Sequence, residues 1–227
     1  MLENVEGETS MTAMRKAFAV IVLIAAAFAT MGAPHERALA DDLGLCFDRP
    51  VTIVVPFGTT YHIRHAGETV RGLGNNLIFG STGSDTICFD AGTDNNVVDG
   101  GAGNDRMAVE GANSEAHGGG GNDFLVARAG ASAFGETDDD FFELDAVAFA
   151  DGGSGNDTLT GSGAGTLRGG AGNDEIDFSD ADLVEGGPGI DTVNVADVAK
   201  VDCGPGRDRY RFSDVDTAVN CETNLAP

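Results

Sequence analysis

The stretches that decide the fold are GGAGND at 100–105, GGGGND at 118–123, GGSGND at 152–157, GGAGND at 169–174 and GGPGID at 186–191. CGPGRD at 203–208 repeats the form with a cysteine in front, and GETDDD at 135–140 fills the one apparent gap. The closing aspartates are Asp105, Asp123, Asp140, Asp157, Asp174, Asp191 and Asp208, spaced by 18 residues once and then by 17 five times. A fixed short period is the mark of a solenoid, each period one coil stacked on the next. Within each coil a glycine-rich hexapeptide reverses the chain, because glycine admits positive φ and close backbone approach. An acid at a fixed place in every turn makes a column of carboxylates along one edge, and such a column needs a cation.

Two residues after each aspartate stands a mostly large apolar residue: Met107, Leu125, Phe142, Leu159, Ile176, Val193, Tyr210. Two further on come Val109, Ala127, Leu144, Gly161, Phe178, Val195 and Phe212. Residues i and i+2 of a strand share a face, so these two columns line one interior. Leu167, Val184 and Val201, with Ala133 and Ala150 before them, supply the other wall. The period divides into a nine-residue turn-plus-strand and an eight-residue half without the motif, so the cation column is expected on one edge only. Seven stacked turns leave six gaps, hence at most about six cations in that column. Without a cation the column repels itself, and the stretch then reads as disordered.

Composition agrees. Asp and Glu number 37 against 13 Lys and Arg, a formal charge of -24. Nucleic acid is an unsuitable partner for such a surface, and so is an anionic membrane. Only oxygen donors recur in the column, which suits a hard cation with six to eight oxygen ligands, Ca2+, over zinc or copper. Mg2+ fits less well because a carbonyl-rich cage is large and flexible.

The N-terminus reads as an export signal. Arg15 and Lys16 precede the apolar run Ala17–Met31, and Ala38-Leu39-Ala40 offers a small-residue cleavage site. The run is too short for the ~20 residues of a membrane span. Residues 1–10 are acidic, so initiation at Met11 or Met14 would give a cleaner signal. Four cysteines, Cys46, Cys88, Cys203 and Cys221, suit two disulfides in an exported chain. Three pairings are possible. Cys203 and Cys221 stand 18 residues apart, about one coil, which favours that pair and leaves Cys46 with Cys88.

The hexapeptide followed by one residue and a large apolar one resembles the calcium-binding nonapeptide of the RTX, or haemolysin-type, family. GGGGNDFLV at 118–126 and GGSGNDTLT at 152–160 fit it fully. The resemblance spans about residues 71–211. It implies an all-β chain, a right-handed parallel β-roll or β-solenoid with Ca2+ between successive turns; the family's common coil has ~18 residues with the nonapeptide on both sides, and this chain departs from it with ~17-residue coils and Ca2+ expected along one edge. It also implies the ligands: carbonyls of Gly100, Ala102, Gly118, Gly120, Gly152, Ser154, Gly169, Ala171, Gly186 and Pro188, and carboxylates of Asp105, Asp123, Asp157, Asp174, Asp191 and Asp208. Asp140 joins them in an edited turn, where the adjoining sites are expected to be weaker or differently liganded.

The expected organisation is a signal peptide at 1–40, an N-terminal cap at 41–70 and degenerate early coils at 71–99. Calcium-binding repeats follow at 100–211, and a C-terminal cap at 212–227. The family's toxins and proteases carry a further catalytic domain, for which the 59 residues of 41–99 are few. The sequence shows no serine elbow, zinc-protease helix or phosphate loop. His62 and His65 read as surface histidines, and Asp138 and Asp139 as solvated acids. The function expected is a secreted, non-enzymatic calcium-binding protein. A cell-surface or matrix protein stiffened by calcium is the alternative, and a toxin or hydrolase remnant is a weaker one.

Overall fold

Strands, turns and short bends make up the whole of residues 45–224, which the computed structural model describes. The expected signal peptide at 1–40 lies outside the described residues, as do 41–44 and 225–227. Among the described residues there is no helix, hence none long and apolar enough to cross a membrane.

The chain winds as a parallel β-solenoid, each coil giving one strand to a front face and one to a back face. The front face carries Ile53–Val55, Thr69–Gly72, Thr86–Phe89, Arg106–Glu110 and Phe124–Arg128. The back face carries Thr60–His62, Leu77–Phe79, Val97–Asp99, Glu115–Gly120 and Ser132–Thr137. From Phe141 onward the two faces are joined through the corner in single long strands. These are Phe141–Ser154, Thr158–Ala171, Glu175–Glu185, Thr192–Asp202 and Arg209–Val219. Parallel pairing begins where Ile53 meets Val70, inside the stretch expected as a cap. The last complete coil runs to Val219, so the expected C-terminal cap holds half a coil.

Register explains the apolar columns. Phe142, Leu159, Ile176, Val193 and Tyr210 stand opposite one another in successive coils. Across the interior stand Ala150, Leu167, Val184, Val201 and Ala218. The first four of each column are fully buried. Gly161, which has no side chain to add to the second front column, is exposed.

The eight-residue half turns by a different device from the nine-residue half. Ala146, Asp180, Asp197 and Asp214 hold φ of 52°, 58°, 54° and 53°. A single left-handed residue bends the strand there, and aspartate tolerates that conformation better than most residues. The next residue, Val147, Ala181 or Val198, is buried directly inside the corner. Gly163, with φ of 69°, holds the same place in the coil between those of Ala146 and Asp180, so this edge closes on one left-handed residue per coil, without the glycine-rich hexapeptide or a column of inward acids.

Both disulfides are formed, Cys46 with Cys88 and Cys203 with Cys221. A short antiparallel hairpin, Leu45–Cys46 with Arg49–Pro50, lies on the outside of the front face. The Arg106 guanidinium sits over the rings of Phe47 and Phe124, at 4.9 and 4.6 Å. Covalent closure thus falls at the first coils and at the last.

Truncating Ile176, buried in the front column, to alanine should cost about 2–5 kcal/mol by loss of contacts and a residual cavity. Asp177→Ala, on the exposed outside of the same strand, should stay within about 0.5 kcal/mol. Thermal unfolding in calcium checks both.

Candidate metal centre

Each hexapeptide turn delivers its aspartate to the same place, one residue before the front strand. Its Oδ1 accepts the backbone N–H of the aspartate in the preceding coil. The distance is 2.7 Å from Asp105 N to Asp123 and from Asp123 N to Asp140, and 2.8 Å from Asp140 N to Asp157. It is 2.9 Å from Asp157 N to Asp174 and from Asp174 N to Asp191, and 3.0 Å from Asp191 N to Asp208. One oxygen of every carboxylate is therefore committed to stacking the coils. The other, Oδ2, is buried and has no hydrogen-bond partner in all seven aspartates, Asp105 to Asp208. A buried carboxylate oxygen without a donor is costly, and here the cost recurs in line seven times.

What faces that oxygen is a second oxygen. A Cβ built on Gly100 would stand 2.6 Å from Asp105 Oδ2 and 2.6 Å from the carbonyl oxygen of Gly118. At Gly118 the same point lies 2.5 Å from Asp123 Oδ2 and 2.6 Å from Gly135 O, and at Gly169 it lies 2.5 Å from Asp174 Oδ2 and 2.6 Å from Gly186 O. Gly135 faces Asp140 Oδ2 and Gly152 O, Gly152 faces Asp157 Oδ2 and Gly169 O, and Gly186 faces Asp191 Oδ2 and Cys203 O. Two oxygens, one of them without a donor, thus converge beside each first glycine, and an oxygen-only donor set is what calcium takes. The first glycine of each turn leaves a cradle bounded by its own aspartate and the next coil's carbonyl. Six such cradles line the edge, one for each gap between seven turns. In the seventh turn Cys203 stands at the first position, so a real Cβ takes the place left open elsewhere.

The electrostatics favour a cation as strongly as the geometry does. Burial pushes the carboxyls far above the ordinary 3.8: Asp123, Asp157 and Asp174 to about 6, Asp105 and Asp191 to about 7, Asp140 to about 8. Asp208 is raised by burial as well. The stacking amides pull the other way, while neighbouring acids of the column add to the rise. Calcium bound in a cradle supplies the positive charge that lets these carboxylates stay ionised while buried. Oxygen-only donors and surplus negative charge both fit it.

The expected ligands divide by position. First-position Gly100, Gly118, Gly152, Gly169 and Gly186 and the aspartates come together at the cradles. Third-position carbonyls also link coils: Gly120 O accepts from Gly103 N at 2.7 Å, Ala171 O from Gly155 N at 2.9 Å, and Pro188 O from Gly172 N at 3.0 Å, as first-position Gly186 O does from Gly170 N at 3.0 Å. Ser154 adds its hydroxyl to Glu136 O at 3.3 Å, and Ala102 pairs with Gly120 in an isolated parallel bridge.

The edited turn keeps its cradle and changes its outside. Glu136 and Asp138 adopt φ of 76° and 77° at the places where Gly153 and Gly155 stand one coil later. Asp138 Oδ2 accepts Gly121 N at 3.0 Å, Thr137 Oγ1 donates to Gly119 O at 3.0 Å, and Asp139 Oδ1 accepts Asn156 N at 2.7 Å. Asp138 and Asp139 thus tie neighbouring turns together. Glu136 adds a side-chain contact with His117, Oε1 to Nδ1 at 3.1 Å.

The column is longer than the spacing suggests. Asp85 N donates to Asp105 Oδ1 at 2.6 Å, and Asp208 N donates to Glu222 Oε2 at 3.3 Å. Asp85 closes the turn Gly80-Ser81-Thr82-Gly83-Ser84-Asp85, which has the right shape but lies 20 residues before Asp105. It falls in the degenerate early coils expected at 71–99. Glu222 carries no repeat signal.

A solenoid with acid-lined, glycine-cradled gaps along one edge defines a class of cation-binding repeat protein. The family model of the RTX calcium-binding nonapeptide repeat (4 copies) matches residues 72–95, 89–115, 99–132, 117–146, 149–176 and 159–193. Together these span more than half of the 227 residues, and the chain belongs to that family. Its repeats are calcium-binding repeats. No curated protein and no solved structure matches the chain.

Two outcomes follow from the cradles. Because the folded carboxyls titrate above their unfolded value, the calcium-free fold is most stable below about pH 4 and loses that contribution as pH rises through about 6 to 8. The chelated protein should therefore gain β-sheet circular dichroism on acidification. Gly169→Ala places a methyl group in one cradle and should remove about one calcium from the stoichiometry, measured by calorimetry.

Proposed function

We propose that the protein is a secreted, non-enzymatic calcium-binding solenoid whose fold is completed by calcium outside the cytoplasm. The observation that carries the reading is the line of seven buried Oδ2 atoms without a donor. Each is the second oxygen of a carboxylate whose first is already used to stack coils. Metal binding to the folded chain alone adds its free energy to folding, and a chain of net charge -24 gains further from neutralisation.

Two disulfides suit an oxidising compartment, and the basic-then-apolar run Arg15–Met31 suits export. Calcium is scarce in cytosol and plentiful outside, so the coils that depend on it would stay loose until exported. The acids of the repeat turns are engaged in coil stacking or directed at the cradles, which supports binding over catalysis as their task.

Adding millimolar calcium to chelated protein should raise the β-sheet signal and release binding heat with a stoichiometry of several ions. Magnesium at the same concentration should give neither. A chelated protein already at full β-signal, with no bound calcium, would overturn the reading.

A further inference from the structure

The acids of the edge are not equivalent. Asp85 stands in the column and is fully buried, yet both its oxygens are satisfied by backbone. Oδ1 accepts Gly67 N at 3.0 Å and Glu68 N at 3.3 Å, and Oδ2 accepts Ser81 N at 2.8 Å. Each following aspartate of the column has an Oδ2 with no donor. The glycine in front differs too: a Cβ on Gly80 would meet the Gly100 backbone at its nearest atoms, with no oxygen of Asp85 among them. Asp85 therefore has the stacking role of the column without its cradle.

The rest of the early coils follows suit. Their opposite edge is closed by a buried neutral ladder. Asn76 N donates to Asn96 Oδ1 at 3.1 Å, and Asn96 N donates to Ser114 Oγ at 3.2 Å. Asn76 Nδ2 donates to Pro56 O at 2.6 Å and Thr59 O at 3.2 Å, and Asn96 Nδ2 to Thr93 O at 2.9 Å. Val55, Val70, Ile78, Ile87, Phe89 and Val98 fill the interior. The Cys46–Cys88 disulfide fastens the hairpin across them. One partnerless buried oxygen occurs here, Oε2 of Glu68, but that residue is only half-buried and ends the column.

We infer that the coils from Ile53 to Asp99 fold without calcium and form the template on which the calcium-dependent coils are laid, with Asp85 as the positioning residue at the junction. The inference rests on the calcium reading above. Its physical basis is a contrast between the two parts of the column. Backbone donors complete the carboxylate of Asp85, whereas Asp105 and its successors need a cation to complete theirs. The first calcium-dependent coil then adds to a preformed edge. Asp85 N already points at Asp105 Oδ1, and Thr86 and Ile87 pair with Arg106 and Met107. Growth from an existing edge avoids the cost of forming an isolated first coil.

Hydrogen exchange of the full, disulfide-bonded chain tests this, read peptide by peptide in chelator and in millimolar calcium. Expected in chelator is protection across 53–99 and fast exchange across 141–219, with protection everywhere once calcium is added. Asp85→Asn, which leaves a buried amide among three backbone donors, should speed exchange of 53–99 in chelator by at least about tenfold. Asp174→Asn should leave that segment unchanged. Fast exchange of 53–99 in chelator, with calcium protecting the whole chain, would overturn the template and leave the calcium reading intact. If calcium changes no segment, both fail. An Asp85→Asn chain as protected as the parent removes Asp85 from the junction.

Discussion

Everything in this molecule depends on a division of labour within a single carboxylate. A parallel solenoid must present the same groups at the same height in every coil, or the ladder between coils breaks. The turn aspartate meets that demand with one oxygen, which takes the amide of the coil before it. The cost appears at the other oxygen, held in a dry place with no donor. Stacking and metal affinity are thus one requirement seen from two sides. The same hydrogen bond that fixes the register directs Oδ2 at the open side of a glycine, facing the carbonyl of the next coil.

Much of this was legible in the chain. The period of the aspartates gave the coil length, and the apolar residues two and four positions on gave the interior wall. Spacing also favoured the Cys203–Cys221 bond, since a separation of one coil brings side chains onto neighbouring rungs. What was not legible arises where side chains replace backbone. Glu136 and Asp138 look like a break in a glycine motif, yet they adopt the same positive φ and leave the Gly135 cradle intact. The third-position carbonyls look equivalent to the first-position ones in sequence. Register shows that Gly120, Ala171 and Pro188 accept hydrogen bonds from the preceding turn, and that first-position Gly186 does so too. The turn of Asp85 was legible as a degenerate early coil, but its place in the acid column was not, and Glu222 had no pattern to reveal it.

The eight-residue half shows how little sequence a corner can need. Asp180, Asp197 and Asp214 each turn the chain through one left-handed residue. To composition they look like part of the acidic burden that cations must offset. In the structure they serve backbone geometry at the opposite edge, exposed to water. The acidity of the chain therefore has two origins. One group of acids is buried and paired with carbonyls across a gap; the other is solvated and conformational.

The closed ends give the middle an unusual freedom. One disulfide fastens the hairpin to the early coils, and the other anchors the last hexapeptide to the tail. Between them the segment from Thr158 to Asp174 is a complete unit that meets its neighbours through the shared register and through side-chain pairs such as Arg168 with Glu185. Such a unit can be copied or deleted whole without altering either end. Array length is then modular, and cation capacity changes in single steps with it. A chain of this design can be lengthened like a stack of trays, and a coil of 18 or 20 residues still keeps its acid in line, as the steps from Asp105 to Asp123 and from Asp85 to Asp105 show.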